Sequence, residues 1–359
     1  PEHQLGVDQQ SSCRTAVAGL SENYHPPGFE PFLLPASFLF NILDWPIKLG
    51  GKRMQWRGRR QSDNIEDRRG MGPVSGSGLP GGMLGGRGMR RGGFGLVGTV
   101  VILLLGLVFG FDPSFLLNGG SGGGPGGGYV EAPQPRMGTA SGPRSSGDQD
   151  LADFVSVVLA ETEDVWGDIF AQSGRRYEEP VLVLFSGAVQ SACGFAQAAM
   201  GPFYCPADRK LYIDLSFYRD LRTRMGAPGD FAQAYVVAHE VGHHVQNLLG
   251  VSGDVQAAQR QSSRSDSNAL SVRLELQADC FAGVWAFHMA RQGQVLEPGD
   301  IDEALNAASA VGDDRLQERA TGRITPDSFT HGSSAQRVEW FRRGLESGAP
   351  TSCDTFQQG

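Results

Sequence analysis

His239-Glu240-Val241-Gly242-His243 is the stretch from which the rest of this chain is read. On a helix of about 3.6 residues per turn, His239 and His243 share one face, so both imidazoles can reach one tetrahedral metal ion. Glu240 lies about 100° round from His239. From there its carboxylate can act on a metal-activated water without being a ligand. Phe231, Ala234, Tyr235, Val236, Val237, Ala238, Val241 and Val245 form a nearly continuous apolar run around the motif. That run predicts a buried helix rather than a solvated one carrying a chance Glu-His face. Two imidazoles and a carboxylate are costly to bury unpaired, and a metal ion would pair with them.

A third ligand is required. Gln246 and Leu249 stand where a metzincin would place its next Gly and His, which excludes that class. Downstream, residues 274–285 read as a second apolar helix carrying Glu275 and Asp279 four residues apart, hence on one face. Glu275 is the natural third ligand. Asp279 can accept the other N–H of a ligating histidine, fixing its tautomer and strengthening it as a donor. An ordinary solvated acidic pair is the alternative, and the flanking Leu276, Phe281, Ala282 and Trp285 argue against it.

The combination of His239-Glu240 and His243 with Glu275 and Ala278-Asp279 looks like the gluzincin arrangement of two active-site helices. More closely, the chain resembles a bacterial neutral zinc metallopeptidase family of membrane-anchored proteins. The resemblance rests on residues 54–64 (MQWRGRRQSDN), on Cys193-Gly194, on Gly201-Pro202-Phe203-Tyr204-Cys205-Pro206 and on Tyr212-Ile213-Asp214-Leu215. It continues in Gln277-Ala278-Asp279-Cys280, in Thr330-His331-Gly332-Ser333-Ser334 and in Gln336-Arg337. These blocks span about residues 54 to 355. The resemblance implies an α+β, zincin-like metallopeptidase domain with two active-site helices and a small sheet, preceded by a single transmembrane helix. It implies Zn2+ as cofactor and a peptide or protein substrate. It further implies that the strand at residues 210–216 is the edge to which an extended peptide adds; a purely structural strand is the alternative.

Of the 359 residues 51 are glycine, clustered between residues 70 and 128, so the foldable mass lies after residue 148. Net charge is −8 and the basic residues gather on no face of that part, so nucleic acid is not an expected partner. Residues 92–111 carry no charge and would span about 30 Å as a helix, the thickness of a hydrocarbon core. Arg87, Arg90 and Arg91 precede the segment and Asp112 follows it. By the positive-inside rule the N-terminus is then cytoplasmic and the domain extracytoplasmic, on a bacterial inner membrane crossed once. The expected organisation is residues 1–53 as a segment outside the family pattern, a fragment or a mis-set start, followed by a cytoplasmic Gly/Arg-rich segment at 54–91. The transmembrane helix at 92–111, a Gly/Ser/Pro-rich linker at 112–148 and the metallopeptidase domain at 149–359 complete it. Within the domain, residues 151–170 predict a long amphipathic helix ending near Gly174, and residues 180–185 a buried strand.

Cys193, Cys205, Cys280 and Cys353 allow three pairings. Cys193 with Cys205 closes a short loop, and Cys280 with Cys353 ties the third-ligand helix to the C-terminus. Zinc ligation by these thiols is the rival, and no Cys-x-x-Cys spacing supports it. The expected activity is peptide hydrolysis by a zinc-activated water with Glu240 as general base. The competing expectation is a zincin-fold binding or scaffolding protein with structural zinc. His331, in a Gly/Ser loop, is the candidate donor to the developing oxyanion. His244 reads as a packed residue, and Arg337 as the partner of an acid.

Overall fold

The computed structural model describes residues 54–70, 146–292 and 296–356. Among them the chain is a helix-rich α+β domain of eight α-helices and a small sheet. Helix α1, Ser146–Gln172, buries Phe154, Val158, Trp166, Ile169 and Phe170 at helical spacing, and Gly174 turns the chain away at φ 69°. Trp166 meets Phe281 edge to face at 5.4 Å, a geometry worth about 0.5–1.5 kcal/mol beyond burial.

Strands β1 (Ile65–Asp67), β2 (Val181–Phe185), β5 (Phe203–Cys205) and β6 (Lys210–Asp214) form one sheet in the order β1-β2-β6-β5. β1 and β2 run parallel, as do β2 and β6, while β5 is antiparallel to β6. A separate hairpin joins β3 (Ala188–Ser191) to β4 (Gly194–Gln197). The strand expected at the edge, residues 210–216, is therefore interior. β6 is bonded on both sides, and β1 and β5 are the edges. Leu211 and Ile213 are needed in the core while Tyr212 stacks on Phe203 at 4.7 Å, so this strand is buried on both faces.

Helix α2 (Ser216–Thr223) leads to α3 (Asp230–Leu249), whose N-terminus is capped from outside by Glu303, accepting the Phe231 N–H at 3.0 Å. α4 (Val251–Gln259) follows directly after Gly250 at φ 86°. α5 (Arg264–Arg291) begins on Ser263, which accepts from Asp266 N, and is polar in its first half and buried from Leu276 onward. α6 (Asp300–Ala310) and α7 (Asp313–Thr321) lead to α8 (Ser334–Ser347), opened by a Ser333/Gln336 capping box.

Two glycine contacts set the helix spacing. A Cβ on Gly242 would lie 2.9 Å from the Ala278 carbonyl oxygen, so α3 and α5 approach backbone to backbone at the His239–His243 motif. Gly283 and Gly344 do the same for α5 and α8: a Cβ on either would collide with a carbonyl oxygen of the other helix. Cys193–Cys205 and Cys280–Cys353 are disulfides, the second clamping α5 to the chain end.

Residues 54–70, expected apart from the domain within a cytoplasmic segment, are built into it. Ile65, Glu66 and Asp67 register with Leu182, Val183 and Leu184. The buried Glu163 carboxylate accepts from Arg60 (3.0 Å), Ser62 (2.5 Å) and Asn64 (2.9 Å), and Arg59 bonds Glu161. Residues 54–70 and the sheet within residues 181–214 are therefore one folded unit rather than separate segments. The domain also begins earlier than residue 149, with α1 starting at Ser146. Residues 1–53 and 92–111, and the linker up to residue 145, lie outside the described residues. No helix among the described residues is long and apolar enough to cross a membrane.

Arg60→Ala removes a charged donor from a carboxylate with 2% side-chain exposure. Loss of about 1.5–3 kcal/mol of stability is expected, read as a lower midpoint in chemical denaturation; an unchanged midpoint would refute the structural role of this segment.

Candidate metal centre

α3 and α5 cross where Gly242 admits Ala278, and this contact brings His239, His243 and Glu275 together. One ligand atom from each lies within 4.8 Å of the others. His239 Nε2 is 3.2 Å from Glu275 Oε2, and His243 Nε2 is 3.5 Å from Glu275 Oε1. The other nitrogen of each imidazole is engaged. His239 Nδ1 donates to Asp279 Oδ1 at 2.9 Å, and His243 Nδ1 to Gln246 Oε1 at 2.9 Å. The Nε2 atom of each ring faces Glu275. Two imidazoles, each held through Nδ1, and a carboxylate match the donor set of a catalytic zinc site with one open position.

Asp279 is fully buried and accepts from His239, from Tyr235 Oη and from both arms of the Arg337 guanidinium, Nε to Oδ2 at 2.8 Å and Nη2 to Oδ1 at 2.9 Å. Burial alone would raise its pKa, but Arg337 and His239 hold it below the ordinary aspartate value. Burial would also raise Glu275. The imidazoles of His243, His331 and His239 hold it well below the usual carboxylate range. Glu240 is buried beside the triad and not part of it. Its pKa is raised, chiefly by burial and against the pull of His243 and His239, the direction a general base at neutral pH requires.

His331 lies on the loop before α8. A Cβ on its neighbour Gly332 would touch Leu276 and Val272 at 3.2 and 3.3 Å, so this loop rests on α5 next to Glu275. Asp313 fixes the loop. Its Oδ2 accepts the backbone N–H groups of Thr330, His331 and Gly332 at 2.7, 2.6 and 3.1 Å, and its Oδ1 is 3.2 Å from His331 Nδ1. Burial lowers the His331 pKa, but Glu275 and Asp313 together raise it above the ordinary value. His244, one residue past the motif, points elsewhere. Its Nε2 donates to the Glu178 carbonyl at 2.6 Å, Tyr204 Oη bonds Nδ1 at 3.0 Å, and burial lowers its pKa to about 4.

A family profile described as "Putative neutral zinc metallopeptidase" matches residues 54–356. The chain belongs to this family. It is 50% identical over 305 residues to the uncharacterized protein YpfJ of Escherichia coli K12, covering 84% of this chain and 99% of that one. It is likewise 50% identical over 190 residues to the uncharacterized protein Rv2575 of Mycobacterium tuberculosis, covering 50% of this chain and 63% of the relative. No solved structure matches.

Several residues of the centre carry little signal in the sequence. Gln246 enters the sequence argument only by not being the metzincin glycine, yet it is buried and holds His243 while donating to the Leu274 carbonyl at 2.7 Å. Its position three residues after His243, on the same helix face, is the clue. Asp313 is distant in sequence and could be found only from the fold. Tyr218 on α2 has a buried hydroxyl with no hydrogen-bond partner among the described residues; burial, and after it the Glu240 carboxylate, raises its pKa.

Metal binding must compete with a proton. Burial favours neutral His239, but Asp279 and Glu275 outweigh it and raise the pKa from 6.5 to about 9 in the metal-free protein. The imidazolium therefore stabilises the metal-free fold fully below pH 6.5, and this contribution is lost as pH rises through about 9. Apparent zinc affinity is expected to rise between those values by up to about tenfold per pH unit, with proton release on binding. Competition titrations against a chelating indicator at several pH values test this; a flat profile would contradict it.

Proposed function

We propose that this protein is a zinc-dependent metalloendopeptidase of zincin-like architecture, with His239, His243 and Glu275 as ligands and Glu240 as general base. The observation that carries the reading is the division of labour among the buried acids. Three protein ligands converge, one carboxylate stands beside them unligated, and another orients a ligand from behind. A structural zinc site closes with four protein ligands and has no use for Glu240.

Zn2+ held there would supply Lewis acidity to a water and to the scissile carbonyl. Glu240, buried and raised in pKa, takes the proton of the attacking water and passes it to the leaving amine. His331, held by Asp313, donates to the carbonyl oxygen as negative charge develops there. An extended peptide adds to the edge strand β5, whose antiparallel partner is β6. Tyr204 on β5 is bonded to His244 and Asn247 of α3, at 3.0 and 2.9 Å, which fixes this edge relative to the metal-binding helix.

The reading places the domain in an oxidising compartment, supported by its two disulfides. Residues 54–70 share that compartment because they share its sheet.

Glu240→Gln is expected to keep stoichiometric zinc and to lower kcat/KM on a peptide library by about 10²–10⁴. Zinc retained in both proteins, with no hydrolysis by the wild type, would sink the proposal. His331→Ala is expected to lower kcat by about 10²–10³ with KM little changed. An equal loss spread into KM would mark His331 as a binding residue instead.

A further inference from the structure

The motif on α3 and the acids on α5 account for the proposed ligands, but a buried positive charge in the centre comes from a third helix. Arg337 on α8 is 3% exposed, and its guanidinium reaches past the α5 surface to Asp279. It can do so because Gly283 and Gly344 let α5 and α8 touch along their backbones; a methyl group at either position would force the helices apart. The two arms of the fork engage both Asp279 oxygens, Nη2 lies 3.3 Å from Tyr235 Oη, and Nη1 donates to the Val311 carbonyl at 3.3 Å.

A guanidinium so placed is a puzzle on charge alone. Nη2 is 3.4 and 3.5 Å from the two ring nitrogens of His239, and a cation there repels the metal ion that His239 is read to bind. The Asp279 carboxylate compensates its charge, and the geometry gives that pair a further effect. Asp279 Oδ1 receives His239, Tyr235 and Arg337 together, and only a planar two-pronged donor fixes the rotation of the carboxylate. Rotation of Asp279 would release His239 Nδ1 and with it the tautomer that leaves Nε2 free as a ligand.

We propose that Arg337 is a positioning residue of the metal centre, whose bidentate fork locks Asp279 so that His239 presents Nε2 to a divalent cation. This rests on the zinc reading of the His239, His243 and Glu275 triad. Zinc affinity of the full chain, measured by indicator competition on metal-free protein together with its melting temperature, tests it. Arg337→Lys keeps the charge and loses the fork, and is expected to weaken zinc binding by about 10–100-fold. Asp279→Asn should show a loss of the same size, and the double variant Asp279→Asn/Arg337→Met should match Asp279→Asn within about threefold, because the two residues act as one unit.

Wild-type affinity in Arg337→Lys would overturn the proposal, since charge alone would then suffice. So would a double variant that binds zinc tenfold more tightly than Asp279→Asn, which would show Arg337 acting only as a repelling charge. The double variant removes the buried pair together and serves if Arg337→Lys does not fold. His239→Ala separates the two levels. Wild-type zinc affinity in that variant would remove the zinc reading itself, whereas loss of binding in His239→Ala with none in Arg337→Lys overturns the role of Arg337 alone.

Discussion

Burial of charge in an apolar crossing of helices is the constraint on which this structure depends. α3 and α5 meet so closely at Gly242 and Ala278 that His239, Glu240 and Asp279 are all buried. Each must be satisfied locally or remain neutral, because an unpaired ion costs several kcal/mol in such surroundings. Asp279 meets the condition with donors from two other helices: Tyr235 and His239 from α3 and Arg337 from α8. Much of the remaining architecture serves this point. The Gly283 and Gly344 contact admits α8, the Cys280–Cys353 disulfide ties the chain end to α5, and Asp313 steers the loop carrying His331 toward Glu275.

The same logic explains how the two histidines proposed as ligands differ. His239 is backed by a carboxylate and His243 by the amide of Gln246, which is itself held by Leu274 and Gln277 on α5. A carboxylate strengthens an imidazole as a donor more than an amide does. In the proposed zinc site His239 is therefore the stronger nitrogen ligand and His243 the weaker, both held by residues of the helices that carry the site.

The parts legible in the sequence were those with local periodicity. The i, i+4 spacings of His239 with His243 and of Glu275 with Asp279 set faces that any helix must present, and the apolar runs of α1, α3 and β2 named the core. Residues whose roles depend on tertiary placement were not legible in this way. Arg337 reads as a partner of an unspecified acid until α8 is packed on α5, and nothing local marks Asp313 until the loop at 330–332 closes on it. The position of β6 failed for a related reason. Alternation marks a strand and not its neighbours, and β5 is too short to announce itself as the edge. Residues 54–70 show the widest gap between order along the chain and place in the fold. Their charged composition suggests a solvated segment, whereas Glu161 and Glu163 of α1 draw Arg59 and Arg60 into a buried network.

The central claim is that three side chains on two helices hold a divalent ion with one position open. Zinc K-edge absorption spectroscopy of the full chain tests it most directly. The account predicts a four-coordinate shell of two imidazole nitrogens at about 2.0–2.1 Å with two oxygens, one from Glu275 and one from solvent. A shell containing thiolate sulfur at about 2.3 Å, or four protein ligands and no solvent oxygen, would contradict it.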